Sequence, residues 1–379
     1  MSGIVLTDGW VVTFLIAVTV AAAVATAAFW DRGRFRIVHR AAGLLIVQLL
    51  LLVSLAAVVN QQANFYITVG ELLGQGGDTY AQTLPAGAPR LSADGGGGED
   101  LDRWIADHPA APGRGTVVPA TLAGAETGYA LPSYVYLPAG YPTPTAAPAG
   151  LPVVMFLAGY PGTVDSWLKS VGVADALDEA IAAGRLPPVI AVLAEQDPVR
   201  GRDSECVDSA LGAKADTYLT GDIPEIIHRH FRAATGRQNW ALAGYSTGGF
   251  CAVNLALRHP DRFGAAASLA GFFRPLIDHS TGDLYQGDLD LRRANDPRIM
   301  IGQSRPAPLN LFLTAGLDDR AAQRDLKAFA PLVKAPDTAL VIADRPGGHN
   351  FTTWRSILPD LFGWLDAQFG GGGRTLTGL

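Results

Sequence analysis

Between residues 116 and 369, short and almost uninterrupted apolar runs alternate with segments of helical periodicity, and this alternation restricts the fold more than any other feature. The runs are TVVPATLAG (116–124), YALPSYVYLP (129–138), PVVMFLAG (152–159), VIAVLAE (189–195), WALAGY (240–245), GAAASLAG (264–271), LNLFLTAG (309–316) and ALVIADR (339–345). VVMFLAG and LNLFLTAG carry no polar alternation, which suits strands buried on both faces of a parallel sheet. Helical patterns at 166–183, 217–234, 247–259, 319–334 and 352–368 fall between the runs. Alternation of this kind builds βαβ units covered on both sides, so an α/β class with a mostly parallel central sheet is predicted for a single domain over 116–369.

The N-terminus follows a different solvent logic. Residues 9–30 and 41–59 carry no charge, and each stretch is long enough to cross a hydrocarbon core of about 30 Å as a helix. Between them DRGRFRIVHR (31–40) sets Arg32, Arg34, Arg36 and Arg40 against Asp31. Basic short loops stay on the cytoplasmic side, so a two-helix transmembrane hairpin over 1–62, with spans at 10–30 and 41–59, is predicted to leave both the N-terminus and the main domain outside. The first basic residue is Arg32, which argues against a cleaved secretory signal. Nothing ionisable lies inside either span to suggest transport, so the hairpin is expected to be an anchor in the cell membrane. Residues 63–115, rich in Gly, Pro and Ala, read as a linker with one short helix at 99–107, and 370–379 as a loose tail.

Charge narrows the partners. The net charge is −6 and only 17% of residues are charged, with no basic cluster beyond residue 41, which excludes nucleic acid as an expected partner.

The segment that carries chemistry is GYSTG (244–248). With 44 glycines in the chain, a GxSxG match is weak by itself. Its context is specific: the strand WALAGY leads in and the helical TGGFCAVNLALRHP leads out, the arrangement that presents a nucleophilic serine on a sharp turn. The competing reading makes Ser246 a structural helix cap. A serine hydroxyl needs a base, and the base an orienting acid, both supplied from later strand ends in the order Ser, Asp or Glu, His. LNLFLTAGLDD places Asp318 and Asp319 just past a strand, and RPGGHNF places His349 in a glycine-rich loop before the last helix. Adjacency leaves Asp318 and Asp319 open, with Asp344 a weaker third candidate. Of the other histidines, His39, His108, His228, His230, His259 and His279 are expected to be solvated or structural. No spacing resembles a zinc site, so neither a metal nor another cofactor is predicted. The backbone amide of Thr247 and one from LAGYPGT, that of Tyr160, are the candidate donors of an oxyanion hole.

These pieces resemble the esterase D and antigen 85 group of α/β-hydrolases, which includes feruloyl and acetyl esterases and mycolyltransferases. VVMFLAGYPGTVDSW is similar to the group's oxyanion strand, GYSTGGFCAVNLALRHPDRF to its elbow and helix, LFLTAGLDD to its acid loop and GGHNFTTW to its histidine loop. The resemblance spans 116–369. It implies a serine esterase or acyltransferase and favours Asp319, three residues after the glycine, as the acid. Many members carry His or Asp before the oxyanion glycine; this chain has Ala158.

Cys206 and Cys251 are the two cysteines, both near the carboxyl edge of the expected sheet, and an outside domain is oxidising territory. A disulfide between them is predicted. The long connection at 272–308 is expected to contribute to a substrate wall. The functional expectation is a membrane-anchored extracytoplasmic serine esterase or acyltransferase acting on a lipid or glycan ester of the cell envelope, with protein partners unassigned. The alternative is a catalytically idle scaffold or binding module in a membrane complex.

Overall fold

The computed structural model describes residues 9–31, 36–63, 84–141 and 150–370. Among these, nine strands form one sheet: β1 Arg90–Ser92, β2 Thr116–Ala123, β3 Ala130–Leu137, β4 Val153–Leu157, β5 Ile190–Ala194, β6 Trp240–Tyr245, β7 Ala265–Leu269, β8 Asn310–Thr314 and β9 Thr338–Ile342. The order is β1-β2-β3-β5-β4-β6-β7-β8-β9. Only β3 runs against its neighbours, pairing antiparallel with β2 and β5. Every residue of β4, β5, β6 and β7 is buried, which is why those runs lack polar alternation. All eight expected strands are present in this mostly parallel sheet.

Strand β1 lies inside the expected linker and amends it. Leu91 is fully buried, β1 pairs parallel with β2, and helix α3 (Gly98–Asp107) follows with Leu101 buried. Gly97 makes the turn between them possible: its φ is +87°, and a Cβ there would lie 2.0 Å from the Arg90 carbonyl oxygen. Residues 64–83 of the linker, and 371–379 of the tail, lie outside the described residues.

Helices α4 (Val173–Ala182), α5 (Ile223–His230), α6 (Thr247–Arg258), α7 (Arg320–Phe329) and α8 (Phe351–Gln368) cover the sheet. The helix expected over 166–183 is two pieces, because Gly172 adopts φ 73° between a π-helical turn at Ser166–Val171 and α4. Helix α6 is buried on all sides from Thr247 to Leu257. Its C-terminal end is held by Asp216, which accepts from Arg258 Nε at 2.7 Å and lies 2.6 Å from His259 Nε2. The connection at 272–308 contains two short helices, Leu289–Arg293 and Pro297–Met300, capped by the side chains of Asp288 and Asp296.

In the N-terminal hairpin, α1 (Gly9–Ala28) and α2 (Arg36–Ala63) are long and apolar enough to cross a membrane, with mean hydropathies of 2.4 and 2.7 over their apolar windows. Trp10, Phe14, Leu45, Leu49, Leu52 and Leu55 are exposed, unlike the side chains of a core helix. The two helices meet through Thr19 and Ser54, whose hydroxyls hydrogen-bond at 2.9 Å, and through Gly43, which faces Thr26 where a Cβ would come within 2.6 Å of Cγ2. Arg40 closes the turn, donating to the Trp30 carbonyl at 2.9 Å and pairing with Asp31. Arg32 and Arg34 lie outside the described residues.

The expected disulfide Cys206–Cys251 is present and closes a separation of 45 residues. Chain-entropy arguments assign a loop of this size about 4 kcal/mol. Alkylation of native protein is therefore expected to find no free thiol, and the Cys206→Ser/Cys251→Ser variant to lose up to about 4 kcal/mol in chemical denaturation. Two alkylated cysteines in the native protein would remove the bond from this account.

Candidate active site

Ser246 occupies the turn between β6 and α6 with φ 54° and ψ −123°, a conformation rare for a residue with a side chain. Its amide donates to the Leu269 carbonyl of β7 at 2.9 Å, and its carbonyl receives the Gly249 amide at 2.9 Å, so the strained backbone is held on both sides. The flanking glycines are steric requirements. A Cβ on Gly244 would lie 2.0 Å from the Gly248 carbonyl oxygen, and one on Gly248 would lie 2.1 Å from that of Leu157. Gly159, in the loop after β4, brings the candidate oxyanion segment against the serine: a Cβ there would lie 2.6 Å from Ser246 Cβ. Tyr160 follows, half-buried, and Thr247 is buried at the first position of α6.

The two candidate acids sit in different surroundings. Asp318 is exposed, whereas Asp319 is 6% exposed and caps α7, its Oδ1 accepting from the Ala322 amide at 3.0 Å. Asp344 is exposed. The acid loop is joined to the chain leading into the histidine loop: the amides of Leu317 and Asp318 donate to the carbonyls of Arg345 and Gly347, each at 2.9 Å. Gln323 Nε2 reinforces the junction by donating to the carbonyls of Ala315, at 3.0 Å, and Ala343, at 2.8 Å. His349 stands two residues beyond Gly347, half-buried, just before α8. In the first turn of α8, Trp354 stacks on Tyr245, the neighbour of Ser246, at 4.2 Å, and Trp167 packs on that tyrosine at 5.1 Å. Both tryptophans are buried packing residues.

Other histidines have local partners. His228 Nδ1 lies 2.8 Å from the Pro224 carbonyl, and His230 Nε2 lies 2.8 Å from the Ser92 carbonyl of β1.

One loop beside the candidate site was not singled out in the sequence beyond its cysteine. The loop after β5 carries Glu195, Gln196, Asp197, Asp203 and Glu205 within eleven positions. Asp203 is 4% exposed and Glu205 fully buried. Asp203 Oδ2 accepts from Thr247 Oγ1 at 2.9 Å, and Gln196 Nε2 donates to the Ala158 carbonyl at 2.7 Å. Burial pushes the Asp203 carboxyl up to about 6, against the hydrogen bonds from Glu205 and Thr247 that pull it down. Burial likewise raises Glu205 well above the usual carboxylate range, and the nearby Asp203 adds to the effect. A run of acids this dense beside a cysteine expected to be bonded was the available clue.

A mostly parallel sheet, antiparallel at β3 and bearing a serine on its strand-to-helix elbow, defines an α/β-hydrolase. The chain belongs to the Esterase family, whose model matches residues 124–365. It is 28% identical over 274 residues to an uncharacterized protein of Corynebacterium glutamicum, covering 68% of this chain and 63% of that one. It is 27% identical to the iron(III) enterobactin esterase of Dickeya dadantii, covering 58% of this chain and 48% of the relative. Over 78 residues it is 41% identical to the diacylglycerol acyltransferase/mycolyltransferase Ag85B of Mycolicibacterium smegmatis, covering 18% and 23%. The chain thus spans less than two thirds of the length of these relatives. Among solved structures, a ferulic acid esterase superposes with TM-score 0.57 at 21% identity, covering 68% of this chain and 99% of that one. The S-formylglutathione hydrolase of Agrobacterium tumefaciens gives 0.55 at 18%, covering 69% and 98%. Both likenesses show the fold.

The buried carboxyls set an unusual pH dependence of stability. Asp203 and Glu205 have folded pKa values above their unfolded ones, so the native state holds protons that the unfolded chain gives up. Their contribution is present below about pH 4 and is lost as pH rises through the folded values. Asp216, lowered by His259 and Arg258 against the cost of its burial, works in the opposite sense but only below the ordinary carboxylate range. The Tm of the purified protein is therefore expected to fall between about pH 4.5 and pH 7, and to fall less steeply in Asp203→Asn. Differential scanning fluorimetry across that range checks this; a Tm that rises throughout contradicts it.

Proposed function

We propose that this chain is a membrane-anchored, extracytoplasmic serine ester hydrolase or acyltransferase acting on a lipid or glycan ester of the cell envelope. The observation that carries the reading is the strained elbow at Ser246, in a chain of the Esterase family. Ser246 Oγ attacks the ester carbonyl while His349 takes its proton, and Asp319 orients the imidazole. The amides of Tyr160 and Thr247 donate to the oxyanion of the tetrahedral intermediate. Collapse expels the alcohol, which takes the proton from His349 and leaves an acyl group on Ser246. Water then completes hydrolysis, or an acceptor hydroxyl completes transfer, with His349 again as base.

The burial of Asp319 and the exposure of Asp318 support the choice of acid. The gap between the acid loop and the histidine loop is bridged by main-chain bonds, which supports a common origin of both partners at one sheet end. The exposed apolar hairpin supports the membrane anchor, and the basic sequence between its helices supports an outside position for the catalytic domain. Names of relatives that act on esters, and of one that transfers acyl groups, support the reaction class. That likeness combined with the anchor supports an envelope substrate.

Ser246→Ala and His349→Ala are each expected to lower kcat on a p-nitrophenyl ester by about 10⁴-fold or more, and Asp319→Asn by about 10²- to 10⁴-fold. Asp318→Asn is expected to stay within about threefold of the parent. Full activity in folded Ser246→Ala would end the reading, and a reversed order of the two aspartates would move the acid to Asp318. Adding sugar acceptors and comparing free acid with new ester separates hydrolysis from transfer.

A further inference from the structure

We propose that the loop after β5 sets the oxyanion hole, with Gln196 and Asp203 as positioning residues for its two backbone donors. This rests on the reading of Ser246, Tyr160 and Thr247 given above.

The two donors come from separate elements, the loop after β4 and the start of α6, which pack on each other at Gly159 and Gly248. The β5 loop touches both. Gln196, 2% exposed, donates from Nε2 to the carbonyl of Ala158 at 2.7 Å, in the peptide unit directly before the one that bears the Tyr160 amide. Ala158 has no polar side chain with which to hold this segment, and the bond arrives from the neighbouring strand end. Asp203 Oδ2 accepts the hydroxyl of Thr247 at 2.9 Å, while Oδ1 is held by the Glu205 amide at 2.9 Å.

A third point of attachment is covalent. Cys206 is bonded to Cys251, four residues after Thr247 and therefore on the same face of α6 one turn along. Between the contacts the loop is tied to itself: Ser204 Oγ donates to the Gln196 carbonyl at 2.8 Å and receives the Cys206 amide at 3.0 Å, and the Ser204 amide donates to Asp197 Oδ1 at 2.9 Å. Gln196 and Asp203 thus belong to one knitted unit. Its backbone is strained where it grips α6, with φ 45° at Glu205 and 54° at Cys206, neither a glycine. Strain of that kind costs on the order of 1–3 kcal/mol per residue and survives only where neighbours impose it.

Burying a carboxyl and an amide here is not a route to stability, since apolar residues of similar volume would avoid the desolvation cost. What the polar pair supplies is geometry. An oxyanion donor is worth about 10²- to 10³-fold in rate only if it already points at the developing charge, and a displacement of about 1 Å forfeits much of that. Glu205, as deeply buried, is held instead by the Leu276 amide at 2.8 Å and the Tyr285 hydroxyl.

The test uses the full chain purified in detergent and p-nitrophenyl esters, with Tm measured for every variant. Gln196→Ala, Asp203→Ala and the isosteric Thr247→Val are expected to lower kcat by about 10- to 100-fold with KM within about threefold. Asp203→Asn and Thr247→Ser, which keep an acceptor and a donor, are expected to restore kcat to within about threefold of the parent. Glu205→Gln is expected to move Tm. If Asp203→Ala fails to fold, Thr247→Val decides the same bond from its other end. Ser246→Ala run in parallel separates the two claims: an active Ser246→Ala overturns the catalytic reading itself. An inactive Ser246→Ala beside folded Gln196→Ala and Thr247→Val variants of full kcat overturns the positioning proposal alone.

Discussion

The reversal of the chain at Ser246 is the constraint on which the rest of the domain depends. To end a buried strand and start a buried helix within one residue, the backbone adopts φ 54° and ψ −123°, and the returning helix passes against the strand it has just left. Contact at that range leaves no room for side chains at 244 and 248, and little at 159. The small residues of β7, Ala265 to Ala267, stay buried beside it. Strain at a single residue is thereby imposed by packing on every side, as expected where the surrounding fold over-determines a backbone conformation.

Around that turn the structure places polar groups where an apolar core would be simpler. Asp203 and Glu205 lie beneath the surface, and their carboxyls are pushed toward the neutral form by burial. The disulfide offsets part of that cost by restricting the unfolded chain. Stability and site geometry are thus held in one loop, and the same loop reaches the long connection after β7, where the Asp203 amide meets the Ser280 carbonyl at 3.1 Å and Arg202 Nη1 meets that of Thr281 at 2.9 Å.

Much of the fold was legible in the sequence because parallel strands buried on both faces announce themselves as unbroken apolar runs, as Val153–Leu157 and Asn310–Thr314 do. Strand β1 was not legible: three residues with one buried side chain, Leu91, leave no periodicity to read, and its docking depends on Gly97 and on β2 far along the chain. The break at Gly172 was missed because a left-handed glycine inside an amphipathic pattern leaves the pattern intact. In the candidate site, the elbow and the loops bearing Asp319 and His349 were readable from strand ends, whereas two adjacent aspartates differ only in burial, which sequence does not encode. The contacts of Gln196 and Asp203 join residues 38 and 44 positions apart through irregular loops, where no periodic signal exists.

Covalent trapping tests the central claim most directly. Protein incubated with a fluorophosphonate and examined by intact mass, then by peptide mapping, is expected to carry one adduct, located on Ser246 and absent from Ser246→Ala. An unmodified native protein, or an adduct on another residue that persists in that variant, would contradict the account.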